Sequence, residues 1–390
     1  MPSSEKDALS VVYEINPAMP AAFREPLIEW FQHNQRDLPW RGTDRDPYAV
    51  WLSEIMLQQT RVDQMLPFYR RFLNAYPTIC SLASASLDDV LLLWEGLGYY
   101  SRCRNLHKAA QIVCENHAGV LPGSATELET LPGIGPYTAA AIASTVYGEV
   151  RPAIDGNVKR VLSRVFTIEE SIDSTDGLQK VAEAAARLID ITYPGEFNES
   201  MMELGATICL PREPLCPDCP VNTVCTAFRT GTQMDFPRRS ARKKVPTYEI
   251  AVAIVFDVSN RIFIQRRPEN GMLGGLWEFP GGKRKAGEPL EKTCLRELSE
   301  ETGFSATITG ELDTVRHAYS HLKVKISPFV CRLDEQSPPA RISISEDGTG
   351  TPGDFRWIEI DEIRDFAFPR ANRKIFTLLE HYLESGIERT

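Results

Sequence analysis

The stretch that decides the fold is Leu131-Pro132-Gly133-Ile134-Gly135-Pro136-Tyr137-Thr138, followed by small residues and then Ile154-Asp155-Gly156-Asn157. The first segment is typical of a glycine-rich turn that opens a helix. Gly133 and Gly135 let the backbone approach a partner closely, and Pro136 suits a first helical turn. Backbone amides at such a helix start bind an anion without help from a side chain. The pattern predicts a phosphate-binding hairpin followed by one carboxylate, Asp155; a plain helix–turn–helix with a solvated Asp155 is the alternative.

Composition and charge narrow the class of protein. With 390 residues the chain is long enough for two to three domains, and its 43% hydrophobic and 25% charged content is ordinary for a globular protein. No stretch approaches a membrane span, and the first residues lack the basic start and apolar core of a signal peptide. We therefore expect a cytoplasmic protein. The net charge of −10 disfavours a uniformly basic nucleic-acid binder, although phosphate contacts depend on local charge.

The hydrophobic pattern divides the chain into parts. Residues 1–229 show mainly helical spacing, with apolar residues three and four positions apart between Pro and Gly breaks. Residues 230–247 are predicted to form a basic linker, exposed from Phe236 to Pro246. From residue 248 onward the pattern alternates, as in Ile250-Ala251-Val252-Ala253-Ile254, and a helix is expected over residues 288–302. We therefore predict a multidomain chain: an all-α module followed by an α+β domain at 248–390.

Four cysteines form a compact group in the sequence. Cys209, Cys216, Cys219 and Cys225 have the spacing C-x6-C-x2-C-x5-C. Four thiolates this close suit a metal or a 4Fe–4S cluster, whereas zinc more often binds two close pairs. In a cytoplasmic chain, cysteines favour such a site over disulfides. We expect the scattered cysteines to be ordinary thiols: Cys80, Cys103, Cys114, Cys294 and Cys331.

Three upstream segments carry a specific resemblance. They are Leu38-Pro39-Trp40-Arg41, Asp46-Pro47-Tyr48 and the stretch Trp51-Leu52-Ser53-Glu54-Ile55-Met56-Leu57-Gln58-Gln59-Thr60-Arg61-Val62. With the hairpin and the cysteine spacing, they resemble MutY-type adenine DNA glycosylases of the helix-hairpin-helix, or endonuclease III, superfamily. The resemblance runs from about residue 26 to 376. It implies a helical glycosylase module, a six-helix barrel plus a cluster domain, with a 4Fe–4S cluster in the loop 209–225.

The resemblance also implies the chemistry. Glu54 lies on an otherwise apolar helix face, where burial would raise its pKa as a general acid requires; a solvated or salt-bridged Glu54 is the alternative. Glu54 would protonate adenine as the N-glycosidic bond breaks. An ionised Asp155 would stabilise the oxocarbenium-like sugar or attack it covalently, with Tyr137 and Asn157 in support. Endonuclease III-like enzymes carry a Schiff-base lysine at the position of Tyr137, so this chain should release a base without efficient strand cleavage.

Binding residues follow from the same resemblance. An extruded base requires a pocket and a wedge that fills the gap in the duplex. The residues implied are Arg36, Arg41 and Glu199 for adenine, Gln59 and Thr60 for the opposing 8-oxoguanine, Leu97 and Tyr99 for the wedge, and Gly133 and Gly135 for phosphate. The sequence alone could favour Glu203 in place of Glu199.

The C-terminal part contains a complete Nudix box from Gly282 to Phe304. Its acids Glu297, Glu300 and Glu301 fall on one helix face, which suits magnesium bridging a diphosphate. MutY proteins carry a related MutT-like domain that usually reads oxidised guanine, and the segment containing Tyr319, Ser320 and His321 resembles its recognition loop. The intact box leaves magnesium-dependent pyrophosphatase activity as an alternative.

Together these features predict a monomeric enzyme of base excision repair, associated with the nucleoid while working. Its partner would be double-stranded DNA with adenine opposite 8-oxoguanine or guanine. Two other classes remain open. A nucleotide-pool hydrolase would use the Nudix box alone, and a non-catalytic damage sensor would need Glu54 and Asp155 to be structural.

Overall fold

The computed structural model describes residues 19–42, 44–241, 245–269, 271–319, 322–338 and 354–385, which form two compact units. The first unit holds the described residues up to Ile55 and those from Val120 to 241. The second holds Met56–Gly119 and the described residues from 245 on. These units are defined by packing, so the domain boundaries expected from the sequence stay a prediction. In the described part of the chain, no helix combines the length and apolarity needed to cross a membrane.

Fourteen α-helices and eight strands are described. The helices are α1 (Met19–Asn34), α2 (Pro47–Leu57), α3 (Val62–Ala75), α4 (Ile79–Ser84), α5 (Leu87–Trp94), α6 (Tyr100–His117), α7 (Ala125–Leu128), α8 (Pro136–Tyr147), α9 (Gly156–Val165), α10 (Thr175–Leu188), α11 (Pro194–Thr207), α12 (Thr226–Thr230), α13 (Leu290–Thr302) and α14 (Arg370–Glu384). The strands are β1 (Thr247–Phe256), β2 (Ile262–Arg266), β3 (Trp277–Glu278), β4 (Gly281–Lys283), β5 (Ala306–Glu311), β6 (Val315–Ala318), β7 (Lys323–Leu333) and β8 (Phe355–Ile358). Short 3₁₀ turns occur at Cys216–Asp218, Asn222–Val224 and Ile360–Asp365.

The core of the first unit is built from helix faces. In α9, Val158, Val161, Leu162 and Val165 recur at three- and four-residue spacing and are all buried. They join a cluster with residues of α1, α10 and α11. Burying each of these side chains contributes about 1.5–3 kcal/mol, so the apolar face fixes α9 in place. The helix start, where Asp155 lies, is thereby fixed as well.

Small residues let α11 lie close to its neighbours α8 and α9. A Cβ at Gly195 would come within 2.7 Å of the Ser144 carbonyl oxygen. A Cβ at Gly205 would overlap the Asn157 side chain and lie 3.1 Å from its Cα. Only glycine permits these approaches without backbone shifts. The position of Asn157, two residues after Asp155, therefore depends on the absence of a side chain at Gly205.

A buried amide ties α11 to the chain that leads into α9. Asn198 donates hydrogen bonds from Nδ2 to the Ser144 hydroxyl and the Arg151 carbonyl, both at 2.8 Å. Its Oδ1 accepts from the Ala153 amide at 3.0 Å. These bonds satisfy backbone groups that burial would otherwise leave unpaired. They hold the segment that immediately precedes Asp155.

The helical part of the second unit contains a disulfide that the sequence did not predict. Cys80 on α4 and Cys114 on α6 are bonded, with their Cα atoms 5.7 Å apart. The expectation that both are free thiols is wrong. The two cysteines are 34 residues apart in sequence and meet because α4 packs on α6. Spacing alone gives no sign of that contact.

The sheet of the second unit confirms the predicted α+β organisation. Its order is β3-β2-β1-β7-β5, with β4 paired to β1, β6 to β7 and β8 to β2. The β1–β7 pair is parallel and the other pairs are antiparallel. Alternate β1 residues belong to two cores. Val252, Ile254 and Phe256 pack with α14, and Ala251, Ala253 and Val255 pack with α13. The sheet is thus covered by one helix on each face.

The basic segment after α12 is not fully exposed as expected. Phe236 is buried, and its carbonyl oxygen accepts a hydrogen bond from Arg164 at 3.1 Å. The Ile172 amide donates to the Arg238 carbonyl at 3.0 Å. These contacts, which the charge pattern of the segment does not predict, attach this part of the predicted linker to the first unit.

We predict that Gly205→Ala lowers the free energy of unfolding by about 1–3 kcal/mol, because the new methyl group overpacks the contact with Asn157. Urea unfolding measures the change. Gly156→Ala is the matched control, since a Cβ there meets nothing within 4 Å. Equal stability of the two variants would contradict the close helix packing described above.

Candidate active site

Glu54 is a buried acid on an apolar helix. Its neighbours Trp51, Leu52 and Ile55 on α2 are buried, and Glu54 itself is 9% exposed. Its Oε2 has no hydrogen-bond partner among the described residues. Burial raises the pKa of Glu54 to about 7; a hydrogen bond with Tyr137 opposes the rise, and the charges of Asp155 and Glu199 add to it. This acid therefore holds its proton near neutral pH, as its apolar helix face predicts.

Asp155 is the N-cap of α9. Its Oδ1 accepts a hydrogen bond from the Val158 amide at 2.7 Å, and its Oδ2 accepts from Asn157 Nδ2 at 2.7 Å. Burial raises the pKa of Asp155, while these donors and the charge of Arg160 lower it. Asp155 and Glu54 thus share one site but not one environment. Asp155 has donors for its anion, whereas one oxygen of Glu54 has none among the described residues.

Tyr137 and Asn157 support the two acids. The Tyr137 hydroxyl donates to Met202 Sδ at 3.1 Å and also hydrogen-bonds with Glu54. Burial and the charges of both acids raise the pKa of Tyr137 well above its usual value, so it stays a neutral phenol. Asn157 is oriented by Arg160, whose guanidinium donates to Asn157 Oδ1 at 2.9 Å. The structure brings together all four residues that the sequence singled out for catalysis.

Arginines and glutamates form an ion-pair cluster in the same unit, which we call the Arg–Glu cluster: Arg36, Arg41, Arg45, Glu199 and Glu203. Arg36 donates to Glu203 from Nε at 2.7 Å, and Arg41 donates to Glu203 at 2.8 Å. Arg45 donates twice to Glu199, at 2.9 and 2.7 Å. Sequence reasoning found four of the five. It missed Arg45, which is 154 residues from its partner and follows no recognisable spacing.

The two glutamates of the cluster differ. The side chain of Glu203 is fully buried, and although burial raises its pKa, Arg36 and Arg41 outweigh that effect and hold the pKa below its usual value. Glu203 is therefore a buried carboxylate that is neutralised by Arg36 and Arg41. Glu199 instead lies close enough to Glu54 for its charge to raise the pKa of Glu54. The choice between Glu199 and Glu203 for the adenine pocket stays a prediction, and the charge effect on Glu54 is the observation that supports Glu199.

In the second unit, Arg102 connects two segments that the sequence singled out. Its guanidinium donates to the carbonyls of Met56 and Gln58 at 2.9 and 2.7 Å, to the Gly98 carbonyl at 3.1 Å and to Thr60 Oγ1 at 3.3 Å. The loop with Gln59 and Thr60 is thus fixed to the segment with Leu97 and Tyr99. Gln59 and Tyr99 both have left-handed backbones, with φ of 58° and 51°. Sequence reasoning missed Arg102.

A cavity of about 390 Å³ lies beside that segment. Leu97 and Tyr99 line it together with Tyr319, the residue that directly follows β6. The Tyr319 ring packs edge-on against His317 at 4.6 Å. The predicted wedge residues and one predicted recognition residue therefore share a single cavity. Ser320 and His321 lie outside the described residues.

The glycine-rich hairpin has the predicted form. Gly133 has φ of 79°, Gly135 is the N-cap of α8 and Pro136 is its first residue. Both glycines are exposed, and a Cβ at Gly135 would meet nothing within 4 Å. The first-turn amides of a helix have no intrahelical partner. The turn therefore presents the start of α8 at the surface of the first unit, the kind of position at which helices bind anions.

The four clustered cysteines line one small cavity after α11. Cys209, Cys216, Cys219 and Cys225 all face it and are free thiols. Arg164 contacts the Cys209 sulfur at 3.3 Å. Among the described residues, no three His, Cys, Asp or Glu side chains are arranged to hold a single metal ion. The structure thus gathers the predicted ligands without presenting a ready site for one ion.

The Nudix-box acids are already engaged. Arg296 donates to Glu288 at 2.8 Å, to Glu297 at 2.7 Å and to Glu300 at 3.0 Å. Glu301 accepts from Gln265 at 2.7 Å and from the Gly281 amide at 3.0 Å, and burial together with the charge of Glu278 raises its pKa to about 8. The structure does not support the expected magnesium site on Glu297, Glu300 and Glu301. The motif gives the positions of the acids but not their ion-pair partners. In the folded chain Arg296, which belongs to the same motif, pairs with Glu288, Glu297 and Glu300.

Known protein families match both parts of the chain. Residues 52–187 match the HhH-GPD superfamily of base excision DNA repair proteins, and residues 251–378 match the NUDIX domain family. The adenine DNA glycosylase of Homo sapiens is 36% identical over 414 residues, covering 92% of this chain and 74% of that protein. That of Buchnera aphidicola subsp. Acyrthosiphon pisum (strain APS) is 34% identical over 312 residues, covering 80% of this chain and 87% of that protein. A solved thermostable thymine-DNA glycosylase is 25% identical with a TM-score of 0.49, covering 54% of this chain and 97% of its own.

The two family matches confirm the predicted fold class, a helical helix-hairpin-helix module followed by a Nudix domain. With a relative 36% identical over most of both chains, this chain belongs to the adenine DNA glycosylase family of base excision repair hydrolases.

Proposed function

We propose that this glycosylase removes adenine paired with 8-oxoguanine or guanine in duplex DNA, with Glu54 as general acid and Asp155 as the anion beside the sugar. One observation carries the proposal. Glu54 hydrogen-bonds with Tyr137 and feels the charge of Asp155, yet its Oε2 has no partner among the described residues, whereas Asp155 accepts hydrogen bonds from two donors. Such a pair separates proton donation from charge stabilisation.

The chemistry follows from these environments. Loss of adenine from the sugar leaves a poor anionic leaving group and an oxocarbenium-like cation. Glu54, protonated near neutral pH, gives its proton to the departing base. The Asp155 anion, held by Val158 and Asn157, stabilises the cation or attacks it covalently. Water then adds to the sugar carbon, or displaces Asp155 from it, and loses a proton to solvent. Because Tyr137 is a phenol and forms no imine, the product is an abasic site in an unbroken strand.

Recognition of the mispair belongs to surfaces in each unit. The hairpin at Gly133 and Gly135 would hold a phosphate through backbone amides. In the second unit, Leu97 and Tyr99 would enter the duplex, and Gln59, Thr60 and Tyr319 would meet the base left behind. Ser320 and His321 stay predictions from resemblance, as do the monomeric state and the cytoplasmic location.

The cysteine loop fits a 4Fe–4S cluster. Four free thiols line one cavity, and a cubane cluster takes one thiolate on each iron rather than gathering ligands around one ion. When bound, the cluster would cross-link the loop from Cys209 to Cys225 and fix its shape. Arg164 holds the loop from the protein side, through the Cys209 sulfur and the Leu210 carbonyl, the latter at 2.7 Å. Magnesium at the Nudix box is not part of the proposal.

Substitutions of the two acids test the assignment. We expect Glu54→Gln to slow adenine release from an adenine:8-oxoguanine duplex by about 10²- to 10⁴-fold, because the amide carries no acidic proton. Asp155→Asn should also slow adenine release, and the folded protein should keep its stability because Asn still caps α9. Single-turnover assays measure both. Glu25→Gln, on an exposed face of α1, is the control. Full activity of Glu54→Gln would refute the role of Glu54.

The same assay separates the alternatives. With 8-oxo-dGTP and magnesium added, a nucleotide-pool hydrolase would release pyrophosphate and lose that activity in Glu300→Gln. A damage sensor would bind the duplex and release nothing. We expect adenine release that Glu300→Gln leaves unchanged, since Glu300 is a partly exposed partner of Arg296.

The raised pKa of Glu54 also predicts how stability depends on pH. The folded protein binds this proton more tightly than the unfolded chain, with a pKa of about 7 against 4.5. The stabilisation is complete below pH 4.5 and is lost as the pH rises through 7. Relative to Glu54→Gln, wild type should therefore lose about 3 kcal/mol of unfolding free energy across this range. Urea titrations at several pH values measure it; parallel pH curves for the two proteins would contradict it.

The cluster proposal has a spectroscopic test. Protein purified without oxygen should be brown and contain equal amounts of iron and sulfide, and Cys219→Ser should lower both. Cys103→Ala is the control, since Cys103 is buried in the other unit. A colourless wild-type protein with bound zinc would exclude an iron–sulfur cluster.

A further inference from the structure

Arg45 is the best-placed basic residue that the sequence did not assign. It precedes α2, and its guanidinium donates two hydrogen bonds to Glu199 on α11, at 2.9 and 2.7 Å. The two side chains are 24% and 7% exposed. This paired geometry matches the planar fork of a guanidinium to both oxygens of a carboxylate. It fixes the orientation of the Glu199 carboxylate as well as its charge.

The other arginines of the Arg–Glu cluster do not replace Arg45. Arg36 pairs with Glu203, and Arg41 donates to Glu203 at 2.8 Å. The Nε atom of Arg41 lies 3.5 Å from Glu199, which is farther than the 2.8 Å between Arg41 and Glu203. Within the cluster, Arg45 is thus the arginine that donates hydrogen bonds to Glu199. Without it, a nearly buried carboxylate would turn toward Arg41 or bind a proton.

The position of Glu199 gives this pairing a consequence for the base. Glu199 lies one turn of α11 before Met202, whose sulfur accepts a hydrogen bond at 3.1 Å from Tyr137, the residue that hydrogen-bonds with Glu54. A carboxylate has about four lone-pair directions, and Arg45 uses two of them. The remaining directions accept hydrogen bonds and donate none. Adenine differs from unsubstituted purine by one exocyclic amine, which is a hydrogen-bond donor.

We propose that Arg45 is a positioning and specificity residue: it holds Glu199 as an oriented anion that accepts a hydrogen bond from the exocyclic amine of the extruded adenine. The inference rests on the proposed function, since it requires the base to enter beside Glu54. A protonated or rotated Glu199 would no longer distinguish a base that has the amine from one that lacks it.

The test compares two substrates with the full-length protein. Duplexes carry adenine or unsubstituted purine opposite 8-oxoguanine, and single-turnover rates of base release are measured for wild type, Arg45→Gln, Arg45→Lys, Glu199→Gln and the double variant Arg45→Gln/Glu199→Gln. Arg151→Gln is the control, because it removes another partly exposed arginine, paired with Glu129 at 2.8 Å in the same unit. Thermal unfolding of each variant is recorded alongside.

We expect Arg45→Gln to slow adenine release by about tenfold or more, because one charged hydrogen bond to the base is lost. Purine release should stay within about threefold of wild type, because purine lacks the amine that makes this bond. Arg45→Lys should be intermediate, because an ammonium cannot form the two-pronged contact. The double variant should be no slower than Glu199→Gln. If Arg45→Gln does not fold, the double variant, whose two side chains are neutral, supplies the substrate comparison.

Equal slowing with both substrates, or a double variant whose losses add, would overturn the inference and leave Arg45 a structural residue. That outcome differs from failure of the proposed function. If the proposed function fails, wild type and Glu54→Gln release adenine at the same rate, or neither does. If adenine release depends on Glu54 but the substrate ratio is insensitive to Arg45, the inference alone fails.

Discussion

The site depends on keeping the Glu54 carboxyl out of water. Burial withholds hydrogen bonds from Oε2 and raises the pKa to about 7, which makes the group an acid that retains its proton. This environment opposes folding at higher pH, so the rest of the unit must compensate. The apolar face of α9 and the close approach of α11 at Gly195 and Gly205 supply that compensation. Stability elsewhere permits an unfavourable group where the chemistry needs one.

The contrast between the two acids comes from secondary structure. Glu54 lies inside a helix, whose backbone amides are already paired, so burial raises its pKa with no amide donor to oppose the rise. Asp155 caps a helix and receives a free amide from Val158 and a side-chain donor from Asn157. Arg160 and Gly205 fix Asn157, and Asn198 fixes the chain before Asp155. A helix interior and a helix start thus give two carboxyl groups different sets of hydrogen-bond donors.

Sequence reasoning succeeded where a local pattern has a local cause. Alternation in β1 separates two cores, the glycine-rich turn opens α8, and an acid on the apolar α2 is buried. It failed where partners are distant in sequence. Arg45 and Arg102, the Cys80–Cys114 disulfide and the burial of Phe236 depend on helices that meet only in the folded chain. The Nudix acids show the converse: their spacing was read correctly, yet Arg296 occupies them.

The protonation state of Glu54 in the free protein is the claim on which the account rests. Carbon-13 NMR of labelled glutamate side chains, assigned by comparison with Glu54→Gln, follows that carboxyl directly as the pH is varied. The account predicts a midpoint near 7, well above the ordinary value of 4.5. A midpoint near 4.5 would mean that Glu54 is ionised at neutral pH, and it would contradict the assignment of Glu54 as the proton donor.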